Sequence, residues 1–199
     1  MRILMIGAHG TIGSAVAADL AQRHDVVRAG RSRGDVRVDL TDYASVREMY
    51  AQVGPLDAVV TTAGELHFGP LAQTTPEQFA YGLQSKLMGQ VNAVLAGQSL
   101  LRDGGSFTLT SGIVGEEQIR DGSNAATVNS ALEGFVRAAA TELLRGVRIN
   151  IVSPTLVDAS AEAYGPYFPG FLPVPLKQVV QAYRRSVEGV QNGRRITVW

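Results

Sequence analysis

The sequence predicts an α/β fold, one domain built on a doubly wound, mainly parallel sheet of about seven strands. Three observations carry this. Short apolar runs alternate with longer stretches of helical spacing from end to end. The first apolar run enters a glycine-rich loop that opens directly into a helical stretch. The chain has 199 residues, 45% of them apolar and 18% charged, which fits a single domain with a sizeable core.

In order, residues 2–6 read as a first strand, and the loop Gly7-Ala8-His9-Gly10-Thr11-Ile12-Gly13 leads to a helix expected over residues 14–23. Residues 25–29 and 36–38 are a second and a short third strand. Residues 43–53 have helical spacing, with Val46, Met49, Tyr50 and Val53 on one face. A fourth strand is read at residues 57–61. Thr75 before Pro76 is a helix start, a capping hydroxyl followed by an early proline, and that helix is expected to run to about residue 101. Gly104-Gly105 turns into a fifth strand at residues 106–110. A helix over about 124–145, a sixth strand at 147–152 ended by Pro154, a helix over 175–190 and a final strand at 195–199 complete the pattern. Such sheets bind ligands beyond the carboxyl ends of their strands. A site is therefore expected in the loops after residues 6, 29, 38, 61, 110 and 152.

Composition narrows the function. The formal net charge is zero, which argues against a nucleic-acid or anionic-membrane partner. Cysteine is absent, so disulfides, thiolate zinc sites and thiol catalysis are excluded, and no metal site is expected. No apolar run approaches the roughly 20 residues of a membrane helix, and the first strand is too short for a signal sequence. A cytoplasmic protein acting on a small molecule is the expectation.

The glycine loop suits a dinucleotide pyrophosphate. Glycines let the backbone turn and approach the phosphates, and free N–H groups at the helix start face the anion. Its spacing is G-x-x-G-x-x-G rather than the strict G-x-G-x-x-G, and the plain alternative is an ordinary strand-to-helix turn. The candidate contacts here are Gly7, His9, Gly10, Thr11, Ile12 and Gly13. The loop after the second strand selects the dinucleotide, an acid suiting a free ribose 2′-hydroxyl and a base suiting a 2′-phosphate. It reads Ala29-Gly30-Arg31-Ser32-Arg33, without a carboxylate. Arg31 can fork onto a phosphate and Ser32 can donate its hydroxyl, so NADP(H) is expected over NAD(H). After the third strand, Asp39 can accept from an adenine amino group beside Leu40, or serve as a helix cap. Thr62, Ala63 and Gly64 end the fourth strand with small residues against which a ribose can lie, or form a simple tight turn.

These four loops, in this order, resemble those of the short-chain dehydrogenase/reductase family, whose fold is of the Rossmann type. The likeness continues in Gly105-Ser-Phe-Thr-Leu-Thr-Ser111-Gly112, similar to the family's fifth strand, and in Ala131-Leu-Glu-Gly134-Phe-Val-Arg-Ala-Ala-Ala-Thr-Glu142, similar to its long fifth helix. Arg148-Ile-Asn150-Ile-Val-Ser153-Pro154 resembles its sixth strand and the proline turn under the nicotinamide. The resemblance covers residues 1 to about 157 well. It implies an oxidoreductase that moves hydride between a nicotinamide dinucleotide and a small carbonyl or alcohol. It also implies a Tyr acid–base, a Lys four residues later that lowers the Tyr pKa and holds the ribose, a Ser on the substrate oxygen and an Asn anchoring a relay water. Registered on Gly134 and Glu142, the Tyr position is Ala125 and the Lys position Asn129. Registered on Gly105 and Gly115, the Ser position is Gly112, with Ser111 just before it; registered on Gly89, the Asn position is Lys86. No tyrosine lies between Tyr81 and Tyr164. The chain is thus expected to be an atypical branch that keeps the cofactor loops and lacks the usual catalytic set, a loss of a positioned acid that typically costs ~10²–10⁴-fold in rate.

Lys86, Ser111, His67 and Tyr164 are the candidates for replacement chemistry. A desolvated Lys86 can act as an acid. Ser111 would need a local bulge, and His67 follows the fourth-strand loop. Tyr164 and Tyr167 lie in a lid-like segment at about 155–175. Each has a bland alternative, as a surface lysine, a loop histidine or aromatic packing of the lid. His9 is expected to line the cofactor site, Asn129 to bind the nicotinamide ribose and Pro154 to underlie the ring. The resemblance also implies a homodimer or homotetramer, paired through the small-residue faces of the helices at 75–101 and 124–145. Two functions stay open: an oxidoreductase using NADP(H) with a non-standard proton donor, or a non-catalytic dinucleotide-binding sensor or regulatory protein.

Overall fold

The computed structural model describes Met1–Trp199 and places all seven strands in one sheet. They are β1 (Arg2–Ile6), β2 (Asp25–Gly30), β3 (Val36–Arg37), β4 (Leu56–Thr61), β5 (Leu101–Thr110), β6 (Arg148–Pro154) and β7 (Arg195–Val198). Their order is β3-β2-β1-β4-β5-β6-β7, and every pair is parallel. The central strands are apolar on both faces because both faces are covered. Leu4 and Ile6 of β1 face a layer made by α2 (Tyr43–Val53), α4 (Gly89–Gly97) and α5 (Ser123–Glu142). Ile3 and Met5 face α1 (Thr11–Leu20) and α7 (Leu176–Glu188). The chain runs outward from β1 to β3 and then returns to β4 on the other side of β1. The strand order therefore reverses at β1 and β4, where a crevice opens at their carboxyl ends.

Most elements form where periodicity puts them. Helix α2 buries Val46, Met49, Tyr50 and Val53, and Asp42 caps it by accepting from the Ala44 N–H at 2.9 Å. Several boundaries differ from expectation, four of them for a visible physical reason. Helix α1 begins at Thr11 rather than residue 14, because Gly10 is its N-cap and Gly13 lies inside its first turn. The helix expected at 75–101 starts as read, with reciprocal bonds between Thr75 and Gln78 capping α3 (Pro76–Gly82). It then widens into a π-helical turn, Leu83–Met88, before α4 ends at Gly97. Leu101 is not helical; it is buried at the start of β5, opposite Leu56. Gly104 and Gly105 are not a turn before the strand but an irregularity within it, with Gly104 at φ +74°. Helix α5 stops at Glu142, and Arg145 and Gly146 both turn through positive φ into β6.

The segment after β6 carries short turns at Asp158–Ser160 and Gly165–Tyr167 around α5's successor α6 (Ala161–Tyr164). A bridge between Val157 and Val174 closes its base. Its aromatic rings Tyr164 and Tyr167 pack against Phe68 with centroids at 6.3 and 5.1 Å.

One contact in the core is tight enough to predict an outcome. The buried Tyr50 hydroxyl donates to the Ala93 carbonyl at 2.7 Å, and a Cβ at Gly97 would come within 2.5 Å of that hydroxyl. Gly97→Ala should destabilise the protein by about 1–3 kcal/mol in urea unfolding, the usual cost of overpacking. Gly134→Ala, whose added methyl meets nothing closer than 3.8 Å in mid-helix, should instead stabilise by about 0.5–1 kcal/mol.

Candidate active site

The loop between β1 and α1 owes its shape to two glycines. Gly7 has φ +82°, and a Cβ there would lie 2.8 Å from the Ala63 nitrogen. A Cβ at Gly13 would run into the Gly7 carbonyl and the Thr62 hydroxyl. Thr62 fills the gap behind the loop, donating to the Gly7 carbonyl at 3.2 Å. Gly10 is different. Its backbone is in the ordinary extended region, and an added Cβ would meet nothing nearer than 3.7 Å. Nothing in the chain itself requires glycine there. No side chain caps α1, so the N–H groups of its first turn lack intrahelical partners. An open, uncapped helix start fronted by a bare glycine fits a phosphate group that approaches the backbone.

Beside this loop is a cleft of about 300 Å³ whose walls bring together Gly7, Arg31, Ser32, Leu40, Ala63 and Gly64. Thr41, Glu65 and Ser85 also line it; none was singled out from the sequence, because each reaches the cleft through a loop whose path sequence does not disclose. The Ser85 hydroxyl accepts from the Glu65 N–H at 3.0 Å, and the Glu65 carboxylate accepts from the Tyr81 hydroxyl, which pushes the Tyr81 pKa up. Asp39 is turned onto Thr41. Its carboxylate accepts from the Thr41 hydroxyl at 2.7 Å and N–H at 2.9 Å, and these bonds hold its pKa below the usual carboxylate value. His9 packs on Gly30, with its Nε2 buried and unpartnered.

A second cavity, about 160 Å³, lies at the carboxyl ends of β5 and β6 under the 155–175 segment. Ile12, Pro154, Gly112, Ala125, Tyr164, Lys86, Ser111 and Asn129 all line it. Lys86 stands on the π-helical turn and is 8% exposed. Its Nζ donates to Asn129 Oδ1 at 2.8 Å and to the Ser111 carbonyl at 3.0 Å. Burial pushes the Lys86 pKa down to about 8, and the negative charge of Glu133 partly opposes the shift. Ser111 contributes its carbonyl rather than its hydroxyl to this group. Its Oγ donates to Glu133 Oε1 at 3.0 Å, away from Lys86, so no bulge brings the hydroxyl to a ligand. Glu133 Oε2 accepts in turn from Arg195 at 3.1 Å, and Arg195 pairs with Glu116 and lies over the Trp199 ring. Glu133 was missed, although its place one helical turn after Asn129 puts it on the same face. Arg195 carried no sequence signal.

Two further candidates separate. Tyr164 is on the cavity wall, half exposed and packed against Phe68. His67 does not line the cavity: its ring folds back on Gly69, and its backbone N–H donates to Asn124 Oδ1 at 3.0 Å.

A family model described as "Enoyl-(Acyl carrier protein) reductase" matches residues 7–183. The chain belongs to the short-chain dehydrogenase/reductase family. A Listeria innocua protein of known structure is 48% identical, with a TM-score of 0.98 and 100% of both chains covered. A small-chain dehydrogenase solved in complex with NADPH is 26% identical, with a TM-score of 0.88, covering 100% of this chain and 96% of that one. Hydroxynaphthalene reductase of Aspergillus fumigatus is 28% identical over 193 residues, 84% of this chain and 71% of the fungal protein. An uncharacterised NAD-dependent oxidoreductase of Mycobacterium tuberculosis is 31% identical over 157 residues, 74% of this chain and 57% of that relative. This dehydrogenase/reductase chain has no helix long and apolar enough to cross a membrane.

The buried amine makes stability depend on pH. The unfolded chain holds the Lys86 proton up to its ordinary pKa of 10.5, whereas the folded chain releases it near 8. Between those values the unfolded state binds more protons, so stability rises with pH, by about 3 kcal/mol over the whole window. Urea unfolding at pH 7, 9 and 10.5 should show that rise in the wild type. Lys86→Met should remove it; parallel pH curves for the two proteins would contradict the assignment.

Proposed function

We propose that this protein binds NADP(H) in the cleft and interconverts a small carbonyl compound and its alcohol, with Lys86 in place of a tyrosine as proton donor. One observation carries the reading. Two hydrogens of the Lys86 ammonium are spoken for by Asn129 Oδ1 and the Ser111 carbonyl, and the third has no partner, on an amine that lines an apolar cavity.

The nucleotide, when bound, supplies or accepts the hydride. The first-turn N–H groups of Thr11 and Ile12 hold its pyrophosphate over the bare Gly10, whose own N–H is taken by the Gly7 carbonyl, with Gly7 and Gly13 keeping the loop closed and Thr62 behind it. Arg31 and Ser32 take the 2′-phosphate. Leu40, on the turn that Asp39 fixes, meets the adenine; Ala63 and Gly64 meet a ribose, Asn129 the nicotinamide ribose, and Pro154 the ring. His9 lines the loop. The NADPH found in a relative of the same fold supports this choice of nucleotide.

Lys86 passes its free proton to the substrate oxygen. The neutral amine that remains has two N–H bonds and two acceptors already in place, so the transfer leaves no buried polar group orphaned. In the family register Lys86 occupies the usual Asn position and Asn129 the usual Lys position. The amine and the amide are thus exchanged between the two helices, and in this chain they are hydrogen-bonded to each other. Ala125 and Gly112 leave the space of a phenol and a hydroxyl empty. The 155–175 segment, with Tyr164, acts as the lid. A cytoplasmic location goes with this reading. So does a homodimer or homotetramer, because Val94, Leu95, Phe135 and Leu143 form an apolar groove on the exposed side of α4 and α5 that a second copy can cover. The second reading, a non-catalytic dinucleotide sensor, draws on the same empty space at Ala125.

Nucleotide titration and turnover separate the outcomes. Arg31→Ala should weaken NADPH about 10–100-fold, the worth of one charge-assisted bond, and leave NADH unchanged. Lys86→Met should cost about 10²–10⁴-fold in kcat over a panel of carbonyl compounds while NADPH affinity stays within a few-fold. NADPH binding without turnover of any carbonyl selects the sensor. No binding of either nucleotide refutes both readings.

A further inference from the structure

We infer that Lys86 is also a nucleophilic site, one that condenses reversibly with a small apolar aldehyde held in the cavity beneath the 155–175 segment. The inference rests on the reading above only in taking this cavity as one that admits carbonyl compounds. The same hydrogen bonds also accommodate the neutral amine. Nζ meets two acceptors, Asn129 Oδ1 and the Ser111 carbonyl, and no third. A neutral amine spends its two N–H bonds there and keeps one lone pair. Neither acceptor can engage that lone pair, and Lys86 borders the cavity.

The surroundings agree. Leu66, Phe68, Ile113, Val114, Leu156 and Phe168 make the rest of the wall largely apolar. The charge nearest to Lys86 that favours its protonated form, Glu133, is engaged with Ser111 and Arg195. Ala125 and Gly112 add no bulk beside the amine. Desolvation in such a pocket is what makes a lysine a nucleophile toward carbonyl groups, and the downward shift of its pKa has the same cause. The chain also treats this position apart. Of its 18 basic residues only Lys86 and Lys177 are lysines, and Lys177 is exposed. Elsewhere the chain uses arginine, which does not release its proton.

The step balances without a redox partner. The amine lone pair forms a C–N bond to the aldehyde carbon, and the carbonyl π pair moves onto oxygen. That oxygen leaves as water with the two amine hydrogens, and the imine nitrogen takes one proton from solvent. The protonated imine keeps one N–H for one of the two acceptors, and Glu133 offsets its charge.

The test uses nucleotide-free protein at pH 7.5 with benzaldehyde and sodium cyanoborohydride, which fixes the imine as a secondary amine. Peptide mass spectrometry then reads both lysines, with Lys177 as internal reference. Adduct on Lys86 should form about tenfold or more faster than on Lys177, reflecting the larger unprotonated fraction of the buried amine. The same Lys86 rate is expected in Lys177→Arg. Benzyl alcohol, which fills the cavity without condensing, should slow labelling of Lys86 and leave Lys177 unaffected. Equal or slower labelling of Lys86, no labelling of it, or indifference to benzyl alcohol overturns the inference. Because no nucleotide is present, these outcomes are independent of the Arg31→Ala titration, which judges the NADP(H) reading separately.

Discussion

A lysine removed from water must be given acceptors, and the carboxyl ends of β5 and β6 are arranged around that requirement. An isolated buried charge is expensive, so the side chain either finds partners or loses its proton. Lys86 does some of each. Its acceptors are rigid because each is held from behind. The Ser111 N–H is bonded to the Val152 carbonyl at 2.9 Å and its hydroxyl to Glu133, so its carbonyl has a single direction. Just before it, Gln90 grips Thr110 through both ends of its amide, at 2.8 and 2.9 Å. The strand end cannot drift from the helix that carries the amine. The π-helical turn completes the fit, since an inserted residue re-aims the side chains of its turn.

The same lysine ties the two halves of the site together. Gly64, at φ +122°, passes so close over Lys86 that a Cβ there would lie 2.5 Å from the Lys86 Cα. Gly64 faces the cleft beside the β1–α1 loop, and Lys86 faces the apolar cavity. The wall between them is one backbone thick. On the far side, Lys86, Glu133, Arg195 and Glu116 alternate in sign from the interior to the surface. This network has no net charge and reaches β7, so the last strand of the sheet braces a group set by α5 and the end of β5.

Much of this was legible in the sequence, and the failures have physical causes. Helix α2 was readable to its last residue because its buried face follows a clean 3.6-residue period between an Asp cap and a glycine. The parallel sheet was readable because helices separate most of its consecutive strands. The end of α4 was not, since Leu100 and Leu101 continue the apolar pattern of the helix although Leu101 belongs to the sheet. The start of α1 was misplaced because glycines at 10 and 13 look like loop residues, whereas one caps the helix and the other sits within it. At the site, pattern pointed to Lys86 and Asn129 separately. Their bond spans 43 residues of chain and could not be read from spacing. The outward turn of the Ser111 hydroxyl was hidden for the same reason, because its partner Glu133 lies on another element.

The bare start of α1 has a consequence of its own. Serine or aspartate at Gly10 would cap that helix and strengthen the empty protein, but the new side chain would occupy the hydrogens that face outward. With the cap vacant, the first helical turn keeps N–H groups that an anion could take up. Occupancy and folding would thereby be coupled at one end of one helix: an anion filling that position would act as part of the scaffold, and the stability it adds would grow with the logarithm of its concentration over its dissociation constant.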